Sequence, residues 1–130
     1  VLELTDEKQI DADIAFFCAG SKVSKSYIPK LAARGVICID KSSAFRMEKD
    51  VPLIVPEVNG QLVSKNNRII ASPNCVATPL VQVLGALRSI AEFDRIVVST
   101  YQAVSGAGKD ASDELETQVR DLFNLREVKT

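Results

Sequence analysis

Two nearly continuous apolar runs of strand length flank a helix-like segment in the first third of the chain. Residues 13–19 (DIAFFCA) and 36–40 (VICID) have the pattern of buried strands. Residues 21–34 between them place apolar side chains at helical spacing. A strand, a helix and a second strand in this order predict a βαβ unit, whose crossover makes the two strands parallel.

Proline and glycine indicate the limits of the helix in this unit. Pro29 suits the first turn of a helix better than its interior, so regular helix is expected only from about Ser26. Gly35 follows the last apolar position and predicts the end of the helix.

The remaining chain continues to alternate between strand-like and helix-like segments. Its most regular part is a long apolar helix with Pro79 in the first turn or so. The patterns predict a polar turn (41–47), an extended segment (51–58), a polar loop (61–67), a strand (68–72), the apolar helix (75–91), a strand (95–100), a glycine-containing loop (101–108) and a helix (113–123). These elements predict an α/β protein with a parallel sheet.

Composition excludes several classes of protein and of partner. The 130 residues are 46% hydrophobic and 25% charged, which argues against disorder, collagen and coiled coil. With 16 basic and 17 acidic residues, the chain lacks the charge that nucleic acid or an anionic membrane attracts. No apolar run approaches the roughly 20 residues that span a bilayer, and no signal-peptide pattern opens the chain. Three cysteines make no disulfide framework, so a reducing, cytoplasmic location is predicted.

Cys75 is the residue with the clearest chemical potential. It follows Ser-Pro-Asn where a strand gives way to a helix, and the positive end of a helix stabilises a thiolate and an oxyanion. The alternative is a small buried residue at a helix start. Cys18 and Cys38 lie within apolar runs and are predicted to be inert core residues. No metal site is predicted.

Loops that follow the strands supply further candidate binding residues, because the carboxyl ends of parallel strands share one edge of a sheet. Gly20 and Ser21 precede a helix and suit a phosphate or ribose, although a plain turn is the alternative. Arg46 has the geometry to bind a phosphate or carboxylate, or else is a solvated surface arginine. Ser105 and Gly106 lie in a glycine-containing loop that a ligand can approach closely.

Four strings in the expected order resemble aspartate-semialdehyde dehydrogenases. They are SSAFRM (42–47), VPEVN (55–59), ASPNCVAT (71–78) and STYQAVSGAG (99–108). The resemblance extends from Asp13 to about Phe123. The related N-acetyl-glutamyl-phosphate reductases have a P-G-C-Y-P-T type of nucleophile string, which residues 72–75 do not match.

The resemblance implies a reaction. Cys75 matches the nucleophile of a reductive dephosphorylation of L-4-aspartyl phosphate to L-aspartate 4-semialdehyde, with an acyl-thioester intermediate and NADP as cofactor. This step belongs to the biosynthesis of lysine, diaminopimelate, threonine and methionine. Gln102 matches a residue that contacts the substrate near the thioester. From spacing alone, a helix and a strand after Cys75 can bring Gln102 back to the same site, or Gln102 is a polar loop residue packed under Gly106.

The same resemblance assigns binding positions and an architecture. Arg46 and Asn74 match phosphate-binding positions; Ser105 and Gly106 match NADP contacts, and Gly20 with Ser21 lies where the cofactor passes. The implied fold is a Rossmann-like NADP-binding part followed by the start of an α+β catalytic and dimerisation domain. The boundary is expected between residues 1–74 and 75–130. The implied full-length enzyme is a homodimer that acts on small molecules, without nucleic acid or membrane partners.

Three departures from the family pattern shape the expectation for this chain. The family's glycine-rich pyrophosphate turn is absent before Val1, and no histidine is present to act as the family's general base. Lys41 stands where asparagine is usual. The chain is therefore expected to be a central fragment that is inactive alone. The competing hypotheses are a non-catalytic or dimerising remnant and, less favoured because no C-x-x-C is present, a thiol redox module.

Overall fold

The structure is a computed structural model that describes residues 10–128. Its regular elements, in chain order, are β1 (Ile14–Phe17), α1 (Ser21–Ala33), β2 (Ile37–Asp40), α2 (Pro56–Asn59), β3 (Ile69–Ala71), α3 (Ala77–Leu87) and α4 (Lys109–Phe123), with 3₁₀ turns at Gly60–Leu62 and Val104–Ala107. The chain forms two compact units, of which the first ends at Asp94 and the second starts at Arg95.

The first unit is built on a parallel sheet of three strands in the order β1-β2-β3. Ala15 lies opposite Cys38, and Cys38 lies opposite Ile69. Helix α1 connects β1 to β2, so the predicted βαβ unit and its parallel pairing are confirmed. The Rossmann-like α/β class predicted for this part of the chain is thereby confirmed.

Helix α1 begins earlier than predicted. It starts at Ser21 rather than near Ser26, and Pro29 lies inside it. The prediction was wrong because Lys25 and Pro29 both lie on the exposed side of α1, where water can bond the Lys25 carbonyl that loses its helical partner. The helix ends at Ala33, and Gly35 lies just past its end as predicted, with a φ of 93°.

The core of the first unit lies between α1 and one face of the sheet. Its buried members come from β1, α1, β2 and the residue before β2, and are Phe17, Ile28, Leu31, Val36 and Cys38. On the opposite face, Ile14 is 52% exposed and Phe16 is 69% exposed. The prediction of a fully buried first strand was therefore wrong, because one crossover helix covers only one face of a sheet.

The segment before β3 is extended only in part. Leu53 forms an isolated parallel bridge with Ala71, as the predicted extended segment allows, but Pro56–Asn59 is helix α2. The Asn59 side chain closes this turn by accepting a bond from the Val55 amide and donating one to the Leu53 carbonyl. A side-chain bond from Gln82 lowers the pKa of Glu57 and links α2 to α3.

The elements after β3 differ from prediction at their ends. Helix α3 covers Ala77–Leu87, shorter than the predicted 75–91, and Pro79 lies in its first turn as expected. Helix α4 begins at Lys109, four residues before the prediction, because its first turn is polar and includes an ion pair between Lys109 and Asp113.

Residues 95–100 do not form the predicted strand. A strand needs a partner for its backbone hydrogen bonds, and the described part of the second unit contains none. These residues are exposed, as Val97 illustrates at 77%. Among the residues described, no helix combines the length and the apolar character needed to cross a membrane.

Candidate active site

The carboxyl ends of the three strands meet at one edge of the sheet, as the topology predicts. Backbone bonds fix the register of the loops that leave them. The Lys41 amide donates to the Phe17 carbonyl at 2.9 Å, and the Ser72 amide donates to the Asp40 carbonyl at 2.9 Å. The loops after β1, β2 and β3 therefore start side by side.

The loop after β1 leads directly into α1. Gly20 has a φ of 89°, a conformation that favours glycine, and an added Cβ there would meet no atom within 4 Å. No side chain caps α1, and its first turn contains no acidic residue. Ser21 Oγ lies 3.0 Å from Ser43 Oγ, which links this loop to the one after β2. The helix start has no acidic residue of its own and leaves space beside Gly20, features that fit the phosphates of a nicotinamide nucleotide.

Arg46 is held against the ends of β2 and β3. Its Nε donates to the Ser72 carbonyl at 2.8 Å, and its Nη2 donates to the Lys41 carbonyl at 3.0 Å. Lys41 Nζ in turn donates to Ser72 Oγ at 3.1 Å. An arginine has five N–H donors, so three remain to bind an anion after these two bonds. Among residues 10–128, no carboxylate pairs with Arg46 or Lys41.

Asn74 and Cys75 lie in the turn between β3 and α3. Oδ1 of Asn74 accepts a bond from the Ala77 amide at 2.6 Å. The backbone carbonyl of Asn74 accepts bonds from both the amide and the hydroxyl of Thr78. Cys75 is exposed and lies two residues before the start of α3, rather than in its first turn as predicted. The thiol is still within one turn of the positive end of an 11-residue helix.

The three cysteines, which all carry thiols, occupy different environments. Cys38 is fully buried, as predicted, and burial raises the pKa of its thiol to about 11. Cys18 was predicted to be an inert core residue, but it follows the end of β1 and is exposed. The apolar run continued past the strand, so its pattern could not indicate where pairing with β2 stops.

The second unit contains the other predicted site residues. Gln102 precedes the 3₁₀ turn Val104–Ala107, which contains Ser105 and Gly106. A Cβ added at Gly106 would lie 2.5 Å from Nε2 of Gln102, so a larger residue at this position would displace the end of the Gln102 side chain. The packing of Gln102 against Gly106 is the arrangement that the sequence alone left as the alternative.

The structure thus brings the first-unit candidates to one sheet edge and groups the second-unit candidates around one turn. The first group is Gly20, Ser21, Arg46, Asn74 and Cys75; the second is Gln102, Ser105 and Gly106. The sequence did not indicate Ser72, whose carbonyl accepts a bond from Arg46 and whose hydroxyl accepts one from Lys41. Sequence reasoning also missed Asp40, although an acidic residue at the end of an apolar strand was a signal.

Two family models match the chain. Residues 1–66 match the model described as semialdehyde dehydrogenase, NAD binding domain. The chain belongs to the semialdehyde dehydrogenase family. Residues 84–130 match the dimerisation domain of the semialdehyde dehydrogenases.

Individual members of this family show the same relationship. The chain is 52% identical over 119 residues to an aspartate-semialdehyde dehydrogenase from Rickettsia typhi, covering 90% of this chain and 35% of that protein. It is 43% identical to the Bacillus subtilis protein of the same name, covering 98% and 37%. The sequence-based resemblance to aspartate-semialdehyde dehydrogenases is confirmed.

A solved structure supports the fold of this semialdehyde dehydrogenase chain. Aspartate semialdehyde dehydrogenase II from Vibrio cholerae, complexed with ASA, superposes with a TM-score of 0.78 at 39% identity. The alignment covers 95% of this chain and 38% of that one. The chain thus spans little more than a third of the length of the relatives it matches.

Proposed function

We propose that the protein containing this chain is an NADP-dependent aspartate-semialdehyde dehydrogenase that reduces L-4-aspartyl phosphate to L-aspartate 4-semialdehyde. The supporting observation is that Arg46 is bonded to Ser72, three residues before the exposed Cys75, which lies just ahead of α3. In this proposal, the bond ties Arg46, the anion-binding group, to the short segment that carries Cys75, the nucleophile. The family relationship supports the choice of substrate.

In this proposal, Cys75 forms the covalent intermediate. Its thiolate attacks the acyl carbon of aspartyl phosphate, the carbon–oxygen bond to phosphate breaks, and phosphate leaves with the bonding electrons. Arg46 stabilises the departing phosphate by hydrogen bonds and charge, and Asn74 holds the turn that presents the thiol. The nicotinamide cofactor, when bound, supplies the hydride that reduces the thioester carbon. Collapse of the resulting thiohemiacetal breaks the carbon–sulfur bond, releases the aldehyde and regenerates the Cys75 thiolate.

The residues that would bind the cofactor and the group that would transfer the proton lie in different parts of the protein. Gly20 and Ser21 at the start of α1 would hold nucleotide phosphates. The motif resemblance also assigns Ser105 and Gly106 to cofactor binding. The choice of NADP over NAD rests on the motif resemblance. Because the 130 residues contain no histidine, the family's histidine base would lie outside this chain.

We also propose that the chain is the central part of a cytoplasmic homodimeric enzyme that serves lysine, threonine and methionine biosynthesis. The cofactor-binding domain would include residues 1–74 and the catalytic and dimerisation domain would begin at residue 75. The family models, which match residues 1–66 and 84–130, support a division between them, while the first compact unit extends to Asp94. Exposed apolar side chains in the second unit, such as Phe123 at 85%, support dimerisation.

The full-length protein that contains this chain tests the reaction directly. We expect L-aspartate 4-semialdehyde and inorganic phosphate together to reduce NADP, measured by absorbance of the reduced nicotinamide. NAD should be the poorer acceptor, and N-acetyl-glutamate 5-semialdehyde should not react. A folded, dimeric protein with no phosphate-dependent activity would instead support the non-catalytic remnant.

Gln102 is proposed to orient the substrate without transferring a proton, because a neutral amide donates and accepts without changing charge. In the full-length enzyme, Gln102→Ala should lower turnover roughly 10- to 100-fold, since lost orientation acts on the reacting geometry. NADP affinity, measured by cofactor titration, should be unchanged.

The matched control for this prediction is Gln118→Ala in the same unit. The Gln118 amide bonds to Glu114 on the surface of α4, and neither residue has a part in the proposed reaction, so loss of this bond should leave turnover unchanged. Normal turnover with weakened NADP binding in Gln102→Ala would place Gln102 on the cofactor instead.

A further inference from the structure

Asp40 is a fully buried carboxylate at the end of β2, on the face of the sheet that packs against α1. Three donors surround it. Its Oδ1 accepts the Ser24 hydroxyl at 2.7 Å and the Ser42 amide at 3.0 Å, and its Oδ2 accepts the Ser42 hydroxyl at 2.9 Å. The four strings on which the family resemblance rests do not include Asp40.

The bonds to Ser42 shape the first part of the loop that carries Arg46. The Ser42 amide bond to Asp40 closes a turn, and the Ser42 hydroxyl then accepts the Ala44 amide at 3.1 Å and closes a second one. These turns reverse the chain, so that Arg46 Nη2 reaches the Lys41 carbonyl. The shape of the loop that carries Arg46 is therefore set from Asp40.

Stability alone gives a weak reason for a carboxylate at this position. Within the described residues, no cation pairs with Asp40, and all three donors are neutral. An unpaired buried charge contributes less to stability than a well-packed apolar side chain of similar size. The clearer effect of Asp40 is on the conformation of the loop after β2, where its bond to Ser42 closes the first of the two turns.

We propose that Asp40 is a positioning residue that orients the guanidinium of Arg46 toward the phosphate of the substrate. This inference rests on the proposed function, in which Arg46 binds that phosphate. Asp40 does not touch the substrate in this scheme. It acts through its bonds to Ser42, which shape the loop that leads to Arg46.

A double-mutant cycle in the full-length enzyme tests the inference. Asp40→Ala should raise the KM for phosphate roughly 5- to 30-fold, with the KM for NADP unchanged. In the Arg46→Ala background, the same change should have less than about a twofold further effect, because the group that Asp40 positions is gone. Independent, multiplying effects of the two changes on the phosphate KM would overturn the inference.

Ser24→Ala is the matched control. It removes the bond between Ser24 and Asp40 and leaves both bonds to Ser42, so it should lower the melting temperature without raising the phosphate KM. An equal rise in the phosphate KM for Ser24→Ala would mean that loss of stability alone causes the effect and would overturn the inference. Should Asp40→Ala not fold, Ser42→Ala tests the same connection, and an unchanged phosphate KM in that variant overturns it.

The two proposals fail in distinguishable ways. If Arg46→Ala itself leaves the phosphate KM unchanged in an active enzyme, the phosphate role of Arg46 is wrong and the inference falls with it. If Arg46→Ala raises the phosphate KM but Asp40→Ala does not, only the positioning role of Asp40 is wrong.

Discussion

Replacing Cys75 with serine in the full-length protein is expected to lower turnover by at least about 1,000-fold, the scale seen when a catalytic nucleophile is removed. A thiol supplies a small fraction of thiolate near neutral pH, whereas a serine hydroxyl without an adjacent base supplies essentially no alkoxide. Cofactor binding should persist, because Cys75 lies after β3 and the proposed phosphate contacts at Gly20 and Ser21 lie after β1. Turnover is measured with saturating substrate, and cofactor affinity by titration.

The other two cysteines are natural controls for this prediction. Cys18 is also exposed at the same edge of the sheet, so Cys18→Ser tests the loss of an exposed thiol and should leave turnover within about twofold. Cys38 is buried with a pKa of about 11, so it should resist alkylation near neutral pH.

A chemical experiment gives an independent answer. In the Cys18→Ser background, iodoacetamide should label Cys75 in step with the loss of activity, and aspartate semialdehyde should slow both. Cys18 should be labelled more slowly than Cys75 in the unaltered protein. Labelling of Cys75 without loss of activity, or a Cys75→Ser variant within tenfold of normal turnover, would remove Cys75 from the catalytic role.

The βαβ unit was predictable because its signals are local. Apolar runs with strand length and a helical stripe between them occur within residues 13–40, and a short crossover between two strands makes them parallel. The start of α1 was missed because a proline is tolerated inside a helix when it faces solvent, and the facing of Pro29 depends on packing. The exposure of Cys18 likewise depends on where β2 stops pairing with β1.

The expected strand at 95–100 shows a second kind of limit. Residues such as Ile96 and Val97 favour a strand, but a strand forms only where another backbone supplies hydrogen bonds. The second unit, as far as the structure describes it, contains no such partner. Local propensity therefore predicted an element that non-local pairing did not provide.

The grouping of Gly20, Arg46 and Cys75 at one sheet edge followed from topology, since loops after parallel strands share that edge. The two bonds that hold Arg46 could not be predicted, because they join residues 5 and 26 positions apart through carbonyl groups that the sequence does not distinguish. Those bonds make the side chain of Arg46 part of the structure of the loop as well as a candidate anion ligand.

Arg46→Lys is accordingly expected to do more than weaken one contact. Lysine keeps the charge, but its single nitrogen cannot bond to the Ser72 and Lys41 carbonyls and also present a planar pair of donors to phosphate. Loss of a charge-assisted hydrogen bond costs about 1.5–3 kcal/mol, so the KM for phosphate should rise roughly 10- to 150-fold. The test is a phosphate titration of the full-length enzyme in the direction that forms aspartyl phosphate.

Arg34→Lys is the matched control for this change. Arg34 follows the carboxyl end of α1, the end away from the proposed site, and its side chain also donates to a backbone carbonyl, that of Ile10. Its replacement therefore removes an arginine with a similar kind of bond but no proposed part in phosphate binding. The phosphate KM of Arg34→Lys should equal that of the unaltered enzyme.

Reduction of the preformed acyl-thioester by NADPH should also be spared in Arg46→Lys, because phosphate has already left at that stage. An unchanged phosphate KM in Arg46→Lys, or an equal rise in Arg34→Lys, would show that phosphate is bound elsewhere and that Arg46 serves only to hold the ends of β2 and β3 together.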